Sequence, residues 1–193
     1  MINKLIIKKI KNELFKLYFG NLIFRKKNYL FKELKIMNNK YKVYKIDNAR
    51  LYTNTLDVAY IDKENNVLPN IAIQLRNHKN SKLSDNFVFK NGTPKFPKKI
   101  KHNVFSLLCG APGNDNYYHW FFDVLPRYYL FRKIFKFKNN DYFVVPNIKH
   151  EFQRESLKLL NIKNLINAYD VKHLKAKNIY IIPLDITGNK FPS

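Results

Sequence analysis

Apolar residues change their spacing along this chain, and each change marks a different kind of segment. Over residues 4–36 Leu, Ile and Phe alternate with lysine at helical intervals, broken at Gly20-Asn21, which predicts two helices of roughly four turns. From Tyr41 the period falls to two, through Tyr41-Lys42-Val43-Tyr44-Lys45-Ile46, then Ala49 to Ile61, then Val67 to Leu75 beyond the polar turn Asp62-Lys63-Glu64-Asn65-Asn66. That pattern predicts a small antiparallel sheet. Arg76 to Lys101 reads as a loop with Gly92, Pro94 and Pro97, holding one weak strand at Phe87-Val88-Phe89. The apolar run Asn103 to Cys109 leads through Gly110-Ala111-Pro112-Gly113 into a helix, and strands at 141–145, 165–169 and 178–182 then alternate with a helix from Glu151 to Leu160. Such alternation predicts an α/β fold with a parallel sheet and right-handed crossovers. The chain divides accordingly into a helical arm (1–40), a β-rich segment and loop (41–101), and a parallel-sheet part (102–193). Ligands of parallel sheets gather at the carboxyl ends of the strands, where the Gly110–Asn116 loop is expected.

One segment gathers a histidine, a carboxylate and a guanidinium inside an aromatic run: Asn114-Asp115-Asn116-Tyr117-Tyr118-His119-Trp120-Phe121-Phe122-Asp123-Val124-Leu125-Pro126-Arg127. With Asn114 or Asp115 as helix cap, an advance of about 100° per residue places Asp123, Arg127 and Asn116 within about 80° of His119. The remaining faces are apolar, so the helix should be mostly buried, and its polar arc must either satisfy itself or serve a ligand. His119 and Asp123, like Asp123 and Arg127, stand four residues apart, which permits a purely structural network. The functional alternative is a site wall with His119 or Asp123 as base and Arg127 holding an anion or locking the carboxylate. Pro126 requires a kink or a new segment at that point.

Composition narrows the picture. With 46% hydrophobic and 16% aromatic residues the chain is globular, and 193 residues suffice for a sizeable core. The formal net charge of +22 invites a nucleic-acid or membrane reading. Yet the basic residues are 30 lysines against 6 arginines, alongside 26 asparagines, as an AT-rich gene would encode. The first forty residues nevertheless carry eleven basic side chains against Glu13 and Glu33, enough for that arm either to lie on an anionic leaflet or to pack as a solvated basic helix pair. Cys109 is the only cysteine, which excludes an intramolecular disulfide framework and a thiolate zinc site and fits a reducing cytoplasm. No stretch approaches the roughly 18 apolar residues of a membrane span, and the apolar start is too short for a secretory signal. The chain should be cytoplasmic, soluble or peripheral at the inner face of the membrane. Asp62-Lys63-Glu64 is a hairpin turn before it is a metal site. His78, His102, His150 and His173 lack partners at ligand spacing, and the glycine loop lacks both the G-x-G-x-x-G and the P-loop pattern.

Asn116-Tyr117-Tyr118-His119-Trp120-Phe121-Phe122-Asp123-Val124-Leu125-Pro126-Arg127 closely resembles the N-x-x-H-W-x-x-D-x-x-P-R signature of family-61 glycosyltransferases, which include bacterial capsular-polysaccharide enzymes and eukaryotic xylosyl- and N-acetylglucosaminyltransferases. The similarity runs from about Val43 to the end. It implies a Rossmann-like half-domain of a GT-B-type enzyme, with His119 and Asp123 catalytic and Asn116, Trp120 and Arg127 substrate-binding. It implies a nucleotide-sugar donor as co-substrate, a glycan acceptor in capsular or surface polysaccharide synthesis, and inversion at the anomeric carbon without a bound metal. Family members continue for roughly another domain, which carries most of the donor site, and no residues here match it. The chain therefore reads as an acceptor-side half, whether a fragment, a split gene product served by a separate donor-domain polypeptide, or a decayed one, and it should not be active alone. The competing class is a non-catalytic basic module binding nucleic acid or an anionic membrane surface; the scarcity of arginine makes nucleic acid the weaker of these.

Overall fold

A computed structural model of the chain describes residues 4–23, 29–36, 39–68, 71, 86–110 and 112–183. Helix α1 (Lys4–Phe19) precedes the antiparallel strands β1 (Phe31–Ile36), β2 (Asn39–Asp47), β3 (Arg50–Thr53) and β4 (Val58–Ile61). A short α2 (Phe87–Asn91) leads to β5 (Lys98–Ser106), and the motif helix follows as α3 (Pro112–Asp115), α4 (Tyr117–His119), a π-helical turn (Trp120–Val124) and α5 (Leu125–Ile134). The chain then runs through β6 (Tyr142–Val145), α6 (Glu151–Leu159), β7 (Leu165–Asn167) and β8 (His173–Ile181).

The eight strands among the described residues form one mixed sheet in the order β1-β2-β8-β5-β6-β7, with β3 paired to β8 and β4 to β3. β5 pairs in parallel with both β6 and β8, and β6 with β7, whereas β8 meets β2 and β3 antiparallel. Counted from β5, the parallel strands stand in the order third, second, first, fourth, the order found in doubly wound sheets. The chain leaves β5 toward β6 on one side and returns as β8 on the other, which opens a switch point at the carboxyl ends of β5 and β8.

Strand alternation builds a core on each face. Val104, Val144, Ile179 and Ile181 join Leu51, Val58, Tyr60 and Leu68 under the β3–β4 hairpin. Phe105, Phe143, Val145 and Tyr180 pack instead against Trp120, Val124, Tyr128, Phe131 and Leu157 of the helical layer. Phe105 is the hub there, stacking on Tyr180 at 4.7 Å and meeting Phe131 and Phe137 edge-on.

Several expectations need correction. The second helix expected in the arm is β1 over 31–36: Phe31-Lys32-Glu33-Leu34-Lys35-Ile36 also alternates with period two, and pairing along its whole length with residues 39–44 of β2 supplies the backbone partners a lone helix would have to find internally. Gly20, at φ 79°, closes α1 where only glycine is unstrained. The weak strand at 87–89 is helix α2, because the Asn86 side chain caps Val88 N–H and Gly92, at φ 62°, ends the turn. The strand expected at 67–75 is a single bridge from Val67 to Ile61; 69–70 and 72–85 lie outside the described residues. The division at 101/102 cuts through β5, so the antiparallel lead-in and the parallel strands share one sheet.

At the start of β8, His173 is 2% exposed, its Nδ1 against the Lys95 carbonyl and its ring edge-on to Tyr52. Burial holds its pKa down at about 4 against an ordinary 6.5; the Lys95 contact opposes this, and the nearby Arg50 adds to it. A histidine neutral in the fold but protonated when unfolded lends stability that is complete above pH 6.5 and declines toward pH 4. Denaturant unfolding across that window should show a loss of about 3 kcal/mol attributable to this group. His173→Phe should be correspondingly less sensitive to pH than the wild type.

Candidate active site

The motif helix starts at the carboxyl end of β5, and its entry is fixed by space. A Cβ on Gly113 would lie 2.3 Å from Cys109 Sγ, 3.0 Å from Val124 and 3.2 Å from Pro146, so the ends of β5 and β6 and the helix converge where only glycine fits. Asn114, 8% exposed, locks the turn. Its amide donates to the Thr55 carbonyl at 2.7 Å, its side-chain oxygen accepts from Asn147 N–H at 3.0 Å, and its carbonyl accepts from the buried Gln153 at 3.1 Å. Gln153 in turn accepts from the N–H groups of Lys149 and His150 at the start of α6. These two amides are what sequence reasoning missed: as lone polar residues beside an aromatic motif they carry no pattern, and only the meeting of three loops gives them partners.

The cap is Asn116, one position beyond Asp115 and two beyond Asn114, the expected candidates. Its Oδ1 accepts from Tyr118 N–H at 2.9 Å and His119 N–H at 3.4 Å. Asp115 lies on the surface, where a hydrogen bond from Lys149 at 2.8 Å holds its carboxyl below the usual range. Of the kink or new segment expected at Pro126, the structure shows a change of helix type, with Pro126 in the first turn of α5. The turn before it widens to π geometry, with Leu125 N–H donating back to Trp120 C=O, which accommodates a ring that has no N–H to give.

Along this helix the polar residues form a gradient from solvent to core. His119 Nδ1 lies 2.5 Å from Asp123 Oδ2, with side-chain exposures of 34% and 18%. Arg127 is fully buried and donates to the carbonyls of Asp123 and of Ile182, just past β8, so it pins the helix across the switch point. Trp120, expected to bind substrate, is also fully buried, and its indole N–H donates to Ser156 Oγ at 2.8 Å. It is a bolt between the helix and α6, not a ligand contact. Beside His119 stand exposed rings: Tyr118 stacks on Phe122 at 4.6 Å and meets the imidazole edge-on at 5.6 Å.

The chemistry follows from what remains available. Asp123 fixes Nδ1 as the protonated nitrogen, which leaves the Nε2 lone pair, and Nε2 makes no hydrogen bond among the described residues. The thiol of Cys109 is no competing nucleophile, since burial pushes it up to about 11 although Arg127 opposes the shift. Among the described residues no group of three His, Cys, Asp or Glu is placed to hold a metal ion. A larger groove, of about 1030 Å³, lies at the far end of α5 and is lined by Arg132, Lys133, Lys136 and Lys163; its one carboxylate, Asp141, is committed to Lys138 N–H and Asn103. It offers charge without a base.

No protein-family model, curated protein or solved structure matches this chain. The resemblance to family-61 glycosyltransferases therefore rests on the motif residues themselves.

Gly113→Ala should cost about 1–3 kcal/mol in thermal or denaturant unfolding, the range for forcing atoms into a packed site. Combining it with Cys109→Ala, which removes the 2.3 Å clash, should recover part of that loss. In the wild type Cys109 should react with a thiol reagent only as the protein unfolds.

Proposed function

We propose that this chain is the acceptor-side half of a nucleotide-sugar-dependent, inverting glycosyltransferase, a Rossmann-like half-domain of the GT-B arrangement. The observation that carries the reading is the His119–Asp123 pair: a carboxylate-oriented imidazole with its second nitrogen toward solvent, near the carboxyl end of a central parallel strand. The third-second-first-fourth strand order and the exposed Tyr118–Phe122 rings support it, the rings as a surface for the apolar face of a sugar.

In the reaction an acceptor hydroxyl gives its proton to His119 Nε2 as its oxygen attacks the anomeric carbon of the donor. The new carbon–oxygen bond forms while the bond to the nucleotide phosphate breaks, and the phosphate leaves with the electron pair. Asp123 stabilises the imidazolium produced. Arg127 and Trp120 act at one remove by holding the helix that presents the pair.

Two measurements test this. Saturation-transfer NMR with surface-polysaccharide oligosaccharides should show binding that Tyr118→Ala and Phe122→Ala weaken, and absence of any glycan binding by the wild type removes the acceptor role. With a donor-domain polypeptide supplied, His119→Ala should lower transfer by roughly 10²–10⁴-fold, and Asp123→Asn should leave a residual rate because the imidazole persists. Melting temperatures on the same samples separate lost chemistry from lost folding. Robust transfer by this chain alone overturns the half-enzyme reading, and full activity in folded His119→Ala overturns the base.

A further inference from the structure

Helix α1 is attached to the body along one edge only. Phe15 and Phe19 pack on Phe96 at 5.1 and 6.4 Å, Arg50 lies over the Phe19 ring at 4.8 Å, and Gly20 returns the chain beside Asn65. At about 100° per residue, Ile6, Ile7, Ile10, Leu14 and Leu17 fall within about 100° of one another on the side away from Phe15 and Phe19, with Tyr18 at the edge meeting Phe19 and Phe96 at 4.6 and 5.4 Å. All five are exposed, from 41% to 84%. Lys11 flanks this stripe on one side and Glu13, paired with Lys16 at 2.7 Å, on the other, and the helix as a whole carries five lysines against Glu13.

We infer that α1 is an in-plane membrane anchor that lays this stripe into the headgroup and upper acyl region of an anionic bilayer. No described helix is long and apolar enough to cross a membrane, and the 16 residues of α1 suit a helix lying in the interface. Charge selects the occupant. The lysine excess of the helix is a counter-charge for lipid phosphates, whereas a second copy docked here would set one lysine-rich helix against another. An anionic surface supplies an apolar layer and counter-charge together. Phe15 and Phe19 rest near the starts of β5 and β8, while His119 lies beyond the carboxyl end of β5, so the anchor and the site are separable and the inference stands whatever the site catalyses.

The test is co-sedimentation of the full chain with phosphatidylcholine vesicles and with vesicles containing anionic phosphatidylglycerol, at low and high salt. The wild type should bind the anionic vesicles and retain part of that binding at high salt, because apolar insertion is not screened. Leu14→Asn with Leu17→Asn should reduce anionic-vesicle partitioning by at least about tenfold, with an unchanged circular dichroism spectrum and melting temperature. Lys9→Gln with Lys11→Gln and Lys16→Gln should weaken binding most at low salt. Undiminished binding by the double asparagine variant means that diffuse charge alone holds the protein and overturns the inference. So does a wild type that ignores vesicles but forms a dimer which the same variant dissolves.

Discussion

A guanidinium sealed between a helix and the end of a strand sets the geometry of this molecule. Removing a charged group from water costs several kcal/mol, and Arg127 tolerates it by donating to the carbonyls of Asp123 and Ile182. Those carbonyls belong to the motif helix and to the chain just past β8, so one side chain joins the two segments flanking the switch point. Asp123 is thereby held at both ends, its carbonyl by Arg127 and its carboxylate by His119. The orientation of the imidazole is thus tied through a single residue to the position of a neighbouring strand.

The π turn explains why the motif has the spacing it has. An unbroken α-helix through 117–134 would direct the Phe122 carbonyl at the ring of Pro126. Widening the turn over Trp120–Val124 avoids the clash and shifts the register between His119 and Arg127. The upper end then presents a half-exposed histidine while the lower end buries its arginine. Trp120 is held by Ser156 of α6, so the helix is anchored both to α6 and to the chain past β8.

Much of this was legible in the residues. The period-two run of β2, the apolar runs at β6 and in the latter parts of β5 and β8, the helix α6 and an arc that brings His119 to Asp123 follow from spacing; the first residues of β5 and β8 do not. Burial along that arc does not. Spacing treats Asn116, His119, Trp120 and Arg127 alike as polar or amphipathic groups near one another, and only the third dimension shows that Trp120 and Arg127 are enclosed. Misreadings came where two periods coincide: Phe31–Ile36 satisfies both a helix and a strand, and its partner strand decided the matter. Phe87-Val88-Phe89 has a strand's composition but is overruled by an asparagine before it and a glycine after it. The error at the helix start has a similar cause, since Asn114, Asp115 and Asn116 are all competent caps and the long-range bonds of Asn114 to Thr55 and Asn147 left Asn116 the role.

That distribution of partners also separates the four members of the polar arc. If the four groups served folding alone, each would be satisfied from within. Asn116 is committed to the backbone of Tyr118 and His119, and Arg127 to two carbonyls; these two are structural in effect. Asp123 has a protein partner as well, but that partner is a ring with a second nitrogen, and the second nitrogen is where the internal bonding stops. A histidine needed only to neutralise Asp123 would be better replaced by a lysine or arginine at the same spacing, which keeps its charge through neutral pH. Imidazole brings what those side chains lack, a basic lone pair available near neutrality on an oriented ring. Three members of the arc are thus bonded within the fold, and the proposed chemistry rests on the fourth.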